Sequence, residues 1–273
     1  MWTIGITQWS LPGNAAYTLP LAKQLGFDAV QLEFGGPDAG MPLLHKQLRD
    51  LYLKDSHALG ICLLPLTINA LCRYGVVEGF ATSDGKIARD TILAALDTAA
   101  AMGVEGVTMP IFGANEIHTQ AHYEHTVEAL QFSCEQAASL GLTVYTENVL
   151  DAQGMAQLFR DCASLQLRLL FDSQNYSVFG HHYAVDVLNA HWDKLGNHLH
   201  VKDGGAMGSM LLGTGSSPFM QVMETLRTRG YTGTIVLENN YGALPLCAQA
   251  ENRFSLVKKD METVARMWNV SST

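Results

Sequence analysis

Glu147, Asp172, His200 and Glu238 follow one another at separations of 25, 28 and 38 residues, and each sits in a short apolar run: "VYTEN", "LLFDSQN", "HLHVKD" and "IVLENN". A lone glutamate at such a place is ordinarily a solvated strand end. Four acidic or imidazole groups on successive runs, each flanked by apolar residues, form a different pattern. Brought together, three carboxylates and an imidazole repel one another unless a cation lies among them. With a cation they offer hard oxygen donors plus one nitrogen, a set suited to manganese, magnesium, cobalt or zinc. An ion held in this way polarises a carbonyl and stabilises an enediolate. The chemistry on offer is therefore proton transfer at a carbon beside a carbonyl, with carboxylates as acid and base. Return of the proton to the same carbon from the other face gives an epimer, return to the neighbouring carbon gives an isomer, and loss of a β-hydroxyl gives a dehydratase.

The third run shows how such groups are presented. In "HLHVKDGG", Leu199 and Val201 alternate with His198, His200 and Lys202, the two-residue period of a strand with its polar side chains on one face. His200 is the candidate ligand. His198 shares its parity but lies deeper, and reads as a hydrogen-bonded core histidine. Lys202 and Asp203 read equally as a surface pair or as substrate contacts.

The elements that must carry these groups recur along the whole chain. Candidate strands are residues 2–8, 28–34, 60–66, 104–111, 142–148, 168–173, 198–202 and 234–239, alternating with helical stretches near 16–25, 41–58, 84–102, 118–140, 151–163, 183–194, 217–229 and 251–268. Ile92, Leu93, Leu96, Ala99 and Ala100 fall on one helical stripe, as a helix covering a sheet requires. "QLGFDAV", "AMGVEGV", "SLGLTVY" and "TRGYTGTI" place glycine at a helix exit before the next strand. Eight strand–helix units without a linker predict an α/β fold, a single (β/α)8 TIM barrel forming one domain over residues 1–273. No Gly-x-Gly-x-x-Gly follows the first strand, which argues against a doubly wound dinucleotide fold. Barrel enzymes gather their chemistry at the C-terminal ends of the strands. That places Glu33, Trp9, Phe112, Asn175, Lys202 and His182 (with His181 beside it) as candidate substrate contacts.

Composition narrows the function. The 273 residues are 48% apolar and carry a net charge of −9, which opposes a nucleic-acid partner held through phosphates. The first residues lack the basic and apolar segments of a signal peptide, and the longest apolar stretch, near 58–66, is too short to span a bilayer. Five cysteines with no Cys-x-x-Cys pair read as buried, reduced thiols of a cytoplasmic protein. His118, His122 and His125 lie at i, i+4 and i+7 and suit zinc, although a solvated helix face is the better reading. "GTGSSPF" places the amides of Gly213, Gly215, Ser216 and Ser217 before a helix, where they would hold a phosphate or simply form a turn and cap.

"YTEN", "LLFDSQN", "HLHVKD", "GTGSSPF" and "IVLEN" together resemble the successive strand motifs of the sugar phosphate isomerase/epimerase family. This family of xylose isomerase-like barrels includes ketohexose 3-epimerases, hydroxypyruvate isomerases and inosose dehydratases. The resemblance implies one divalent metal ion held by Glu147, Asp172, His200 and Glu238, with Glu147 and Glu238 also acting as the acid/base pair. It implies a small sugar, keto-sugar or sugar phosphate as the partner, with no nucleic acid or membrane, and it is compatible with a homo-oligomer. Asn175 stands where ketose 3-epimerases carry histidine, and Ala206 where they carry arginine; both departures bear on the substrate rather than on the metal. The alternatives are a metal-dependent dehydratase of a keto-polyol and a non-catalytic carbohydrate-binding barrel. A DNA-repair endonuclease of the same barrel type would need further histidines after strands 6 and 7 that this chain lacks.

Overall fold

A computed structural model describes residues 3–13, 15–179, 181 and 183–269. The chain divides into two compact units, residues 1–31, 55–62 and 171–273 in the first and residues 32–54 and 63–170 in the second.

The first unit is built on the parallel strands β1 (Thr3–Thr7), β2 (Ala29–Gln31), β3 (Cys62–Leu63), β8 (His198–Val201) and β11 (Thr234–Leu237), in the order β3-β2-β1-β11-β8. Strand β1 lies at the centre, with Ile6 opposite Val30 on one side and Leu237 on the other. Every residue of β8 and β11 is buried, as expected of parallel strands covered on both faces. A short hairpin, β9 (Asp203–Gly205) with β10 (Gly208–Met210), follows β8; the sequence reading did not anticipate it. The helices of this unit are α1 (Thr18–Leu25), α6 (Asn175–Val178), α7 (Ala184–Ala190), α8 (Phe219–Thr228) and α9 (Arg253–Asn269). Helix α8 buries Phe219, Val222, Met223 and Leu226, one helical face.

The second unit holds the parallel strands β4 (Leu66–Thr67), β5 (Gly106–Ile111), β6 (Thr143–Asn148) and β7 (Leu167–Leu169), in that order. Helices α3 (Ser83–Met102), α4 (Gln120–Leu140) and α5 (Ala152–Cys162) connect them, while α2 (Lys46–Leu59) crosses from one unit's residues to the other's. Thr82, Thr119 and Asp151 cap α3, α4 and α5 by accepting from the amides of Gly85, His122 and Gly154. Gly103 and Gly141 end α3 and α4 with φ of 66° and 68°, left-handed values that glycine adopts without steric cost. The glycine exits are as the sequence indicated.

Several expectations shift by a few residues. The run expected at 60–66 is two short strands, because Leu64 and Pro65 interrupt it and proline cannot donate to a ladder. The buried face of α3 runs through Ala88, Ile92, Ala95, Leu96, Ala99 and Met102; Ala100 is exposed and Leu93 half-buried, so the stripe is rotated from the expected one. The first strand starts at Thr3, and Trp2 lies outside the described residues. Of the cysteines only Cys134 and Cys162 are buried; Cys62 is exposed, and Cys72 and Cys247 are half-buried. Cys62 lies in the two-residue strand β3, and Cys72 and Cys247 lie in short 3-10 turns. Among the described residues no helix is long and apolar enough to cross a membrane.

The longest ladder pairs β5 with β6 from Gly106↔Thr143 to Ile111↔Asn148. A Cβ at Gly106 would fall 1.8 Å from the Thr143 carbonyl oxygen, so only glycine allows this approach. Gly106→Ala is expected to cost about 1–3 kcal/mol and to lower Tm by several degrees, at roughly 2–4 °C per kcal/mol for a chain of this size. Thermal unfolding followed by circular dichroism checks it.

Candidate metal centre

Three of the four expected ligands come together in the first unit because their strands are neighbours. His200 lies in β8, opposite Val236 of β11. Glu238 follows β11, and its amide donates to the Val201 carbonyl at 3.0 Å. Asp172 forms a parallel bridge with His200: the His200 amide donates to Phe171 O at 2.9 Å and the Ser173 amide to His200 O at 3.2 Å. The side chains therefore leave adjacent strands at one level. One ligand atom from each of Asp172, His200 and Glu238 lies within 4.8 Å of the others.

Their immediate partners fix each group. His200 Nδ1 lies 2.9 Å from Glu238 Oε2, and Trp9 Nε1 donates to Glu238 Oε1 at 3.0 Å. Asp172 Oδ1 accepts the amides of Gln174 and Asn175 at 2.7 and 2.6 Å. The Lys202 ammonium stands 2.8 Å from Glu238 Oε2, 3.3 Å from Asp172 Oδ2 and 3.0 Å from Asn175 Oδ1. Burial would push the Glu238 carboxyl up, but the neighbouring His200 and Lys202 outweigh it and hold Glu238 well below the usual carboxylate range. His198, fully buried and next to His200, is pushed down to about 3 and stays neutral. This is the core role that the sequence suggested.

The donor set suits a hard divalent ion. Carboxylate oxygens and one imidazole nitrogen converge, and the charge they bring is negative. Asp172, His200 and Glu238 are the residues of this unit that would hold such an ion.

Trp9, Asn175 and Lys202 lie against these three side chains. Trp9 serves as a hydrogen-bond donor with its ring edge-on to His200, centroids 6.3 Å apart, rather than as an open stacking face. In the second unit Glu147 is buried at the end of β6, opposite Pro110. Glu33 is half-buried and bridges to Thr67; burial raises its pKa, and a hydrogen bond from Asn69 opposes the rise. Phe112 follows β5, half-buried. His182 lies outside the described residues, and His181 stacks on Tyr183 with centroids 5.0 Å apart.

Two sequence readings are corrected. The amides of Gly213, Gly215 and Ser217 already point at Asp203, whose carboxylate accepts from them at 2.8, 2.9 and 3.2 Å, from Gly204 N at 2.7 Å and from Ser217 Oγ at 2.7 Å. An internal carboxylate fills the cradle in which a phosphate was considered, and Asp203 is buried rather than half of a surface pair. The three histidines of "HTQAHYEH" do not form one helical face, because α4 begins at Gln120 and His118 precedes its cap. His122 pairs with Glu78 at 3.4 Å, and His125 Nδ1 bonds Val77 O at 2.8 Å. Sequence reasoning missed Gln31, which contacts both His198 and His200. Its signal was the same alternation seen in the third run, since Gln31 and Glu33 share parity in "AVQLEF".

The chain belongs to the xylose isomerase-like TIM barrel family, which it matches over residues 19–265, so the (β/α)8 barrel expected from the sequence is its fold. It is 30% identical over 247 residues to the 2-epi-5-epi-valiolone 7-phosphate 2-epimerase of Actinoplanes sp. (strain ATCC 31044 / CBS 674.73 / SE50/110), a match covering 87% of each protein. The 3-keto-D-glucoside 4-epimerase from E. coli superposes with a TM-score of 0.75 at 16% identity, over 97% of this chain and 100% of that one. The D-psicose 3-epimerase from Clostridium cellulolyticum H10, solved with D-tagatose, gives 0.74 at 16% identity over 98% of both. The IOLI protein, solved with a zinc atom, gives 0.76 at 15% identity over the whole of both.

The residue after Glu238 is anchored to α9. Asn239 donates to Asp203's neighbour Met210 O and to Asp260 Oδ2, at 2.8 and 2.7 Å, and Asp260 also accepts from Tyr241 Oη and Leu212 N. Burial raises Asp260 to about 6 against the hydrogen bonds it accepts. A carboxyl raised on folding is stabilising when protonated, so its contribution is present below about pH 4 and is lost as pH rises to about 6. The stability difference between wild type and Asp260→Asn should therefore change by roughly 3 kcal/mol over that window and be flat above it. Urea unfolding at a series of pH values measures it.

Proposed function

We propose that this protein is a single-domain, cytoplasmic, divalent-metal-dependent epimerase or isomerase of a small keto-sugar, keto-polyol or sugar phosphate. The observation that carries the reading is the donor set of the first unit: one ligand atom from each of Asp172, His200 and Glu238 lies within 4.8 Å of the others. A divalent ion bound there supplies Lewis-acid polarisation of a carbonyl, which acidifies the adjacent C–H. The 30% identical relative, named as an epimerase of a phosphorylated valiolone, favours return of the proton to the same carbon and a polyhydroxylated ketone as substrate. Manganese, magnesium, cobalt and zinc all fit the donors.

The chain's own residues take the remaining roles. Glu147 and Glu238 are the proton-transferring pair, one removing and one returning a proton at the carbon beside the carbonyl. Trp9 and Lys202, bonded to Glu238, keep that carboxylate ionised and aimed. Lys202 and Asn175, joined at 3.0 Å, present an ammonium and an amide to substrate oxygens, and Glu33, Phe112 and His182 complete the substrate contacts. The partner is a small molecule rather than nucleic acid or membrane, and copies of the chain are free to associate.

Purified protein should hold about one divalent ion per chain, and His200→Ala and Asp172→Asn should lose it; equal metal in all three by elemental analysis refutes the assignment. Chelation should lower Tm, since an ion that binds only the folded state stabilises it by mass action. With polyhydroxylated ketones and their phosphates in heavy water, wild type should place deuterium on the carbon beside the carbonyl. Glu147→Gln and Glu238→Gln should each lose turnover by about 100-fold or more. A fully active Glu→Gln variant rules out the proton-transfer pair, and release of water in place of an epimer identifies a dehydratase.

A further inference from the structure

We infer that Asn239 is a positioning residue for the metal centre: its buried side-chain amide ties the chain just after Glu238 to β9, β10 and α9, and so sets where the Glu238 carboxylate stands. The inference rests on the metal reading above and concerns a residue outside the ligand set.

Glu238 directly follows β11, and its amide still belongs to the ladder, donating to Val201 O at 3.0 Å. Asn239 comes next and is fully buried. A side-chain amide carries two N–H donors and one acceptor oxygen, and here all three are used. Asn239 Nδ2 donates to Met210 O at 2.8 Å and to Asp260 Oδ2 at 2.7 Å, while Oδ1 accepts from Asp203 N at 3.1 Å. Asp203 opens β9, Met210 closes β10, and the two are partners across the hairpin. Asp260 lies in α9, buried, and is itself held by Tyr241 Oη and Leu212 N at 2.9 and 2.8 Å. One side chain therefore joins three elements of the first unit at the exit of β11. Asn240 adds a further point, its amide donating to Ser209 Oγ at 3.0 Å.

Adjacent residues share a planar peptide group. The bond to Val201 fixes the plane that precedes Glu238, and the locked Asn239 fixes the plane that follows it. With both planes held, the Glu238 side chain leaves the backbone in a set direction, toward His200 Nδ1 at 2.9 Å and Lys202 Nζ at 2.8 Å. The residue type follows from the partners. Leucine would leave two buried acceptors and a buried amide unpaired. Aspartate would keep the bond from Asp203 N but would set one carboxylate against another at Asp260. Groups that orient a metal ligand from behind are commonly worth about 10- to 100-fold in metal affinity.

The test measures manganese binding by titration calorimetry and the coordination of the bound ion by its electron paramagnetic resonance spectrum. Asn239→Asp should bind manganese about 10-fold or more weakly than wild type, with an altered spectrum. Adding Asp260→Asn restores a donor and an acceptor at that contact with their direction reversed, and should recover most of the affinity together with the wild-type spectrum. A purely structural role for Asn239 would lower Tm in Asn239→Asp and leave the affinity and spectrum of the folded protein unchanged; that result overturns the inference. So does a double variant that stays as weak as Asn239→Asp. Should Asn239→Asp fail to fold, the double variant decides: wild-type affinity and spectrum support the inference, and weakened binding overturns it. Wild type that binds no manganese refutes the reading of the centre itself, and the inference with it.

Discussion

The Lys202 ammonium stands between Asp172 and Glu238, 3.3 and 2.8 Å from their nearest oxygens, and much of the first unit serves to hold it there. Carboxylates removed from water cost several kcal/mol each unless charge and hydrogen bonds compensate them. Asp172 receives two backbone amides in addition to the ammonium, and Glu238 receives the Trp9 indole. The Ser173 hydroxyl clamps the Lys202 backbone from both sides, accepting from its amide at 2.9 Å and donating to its carbonyl at 2.6 Å. Lys202, between β8 and β9, is thus held at its backbone as well as at its ammonium. The lysine is part of the charge balance of these carboxylates.

The periodicities that announce strands and helices depend on local chain geometry, which is why the alternating elements and their glycine exits were legible. The same period placed Asp172, His200 and Glu238 on neighbouring strands, and a parallel ladder brings side chains of successive strands to one level. What the sequence does not encode locally is the partner of each polar group. Asp203 looked like the second half of a Lys–Asp pair, yet its carboxylate turns away to collect amides from residues 10 to 14 positions further on. Gln31 was passed over because glutamine carries no charge and binds no metal; its importance arises from contact with a strand 167 residues away. The hairpin of β9 and β10 was hidden because its strands are three residues long and rich in glycine, so no hydrophobic alternation marks them.

One strand carries both buried histidines of the first unit's centre. His198 and His200 lie on one face of β8, two residues apart, and both contact Gln31. A change of register in β8 by one residue would turn both histidines away together. The surrounding ladder, with His200 opposite Val236 and bridged to Asp172, therefore guards the nitrogen donor as strictly as any single hydrogen bond does.

The carboxylate of Asp203 ties residues 204, 213, 215 and 217 to the end of β8. A segment fastened at so many points to a single buried anion has little conformational freedom left to surrender. Its ordering cost is met when the chain folds. The segment is a rigid extension of β8, set in place by one internal anion.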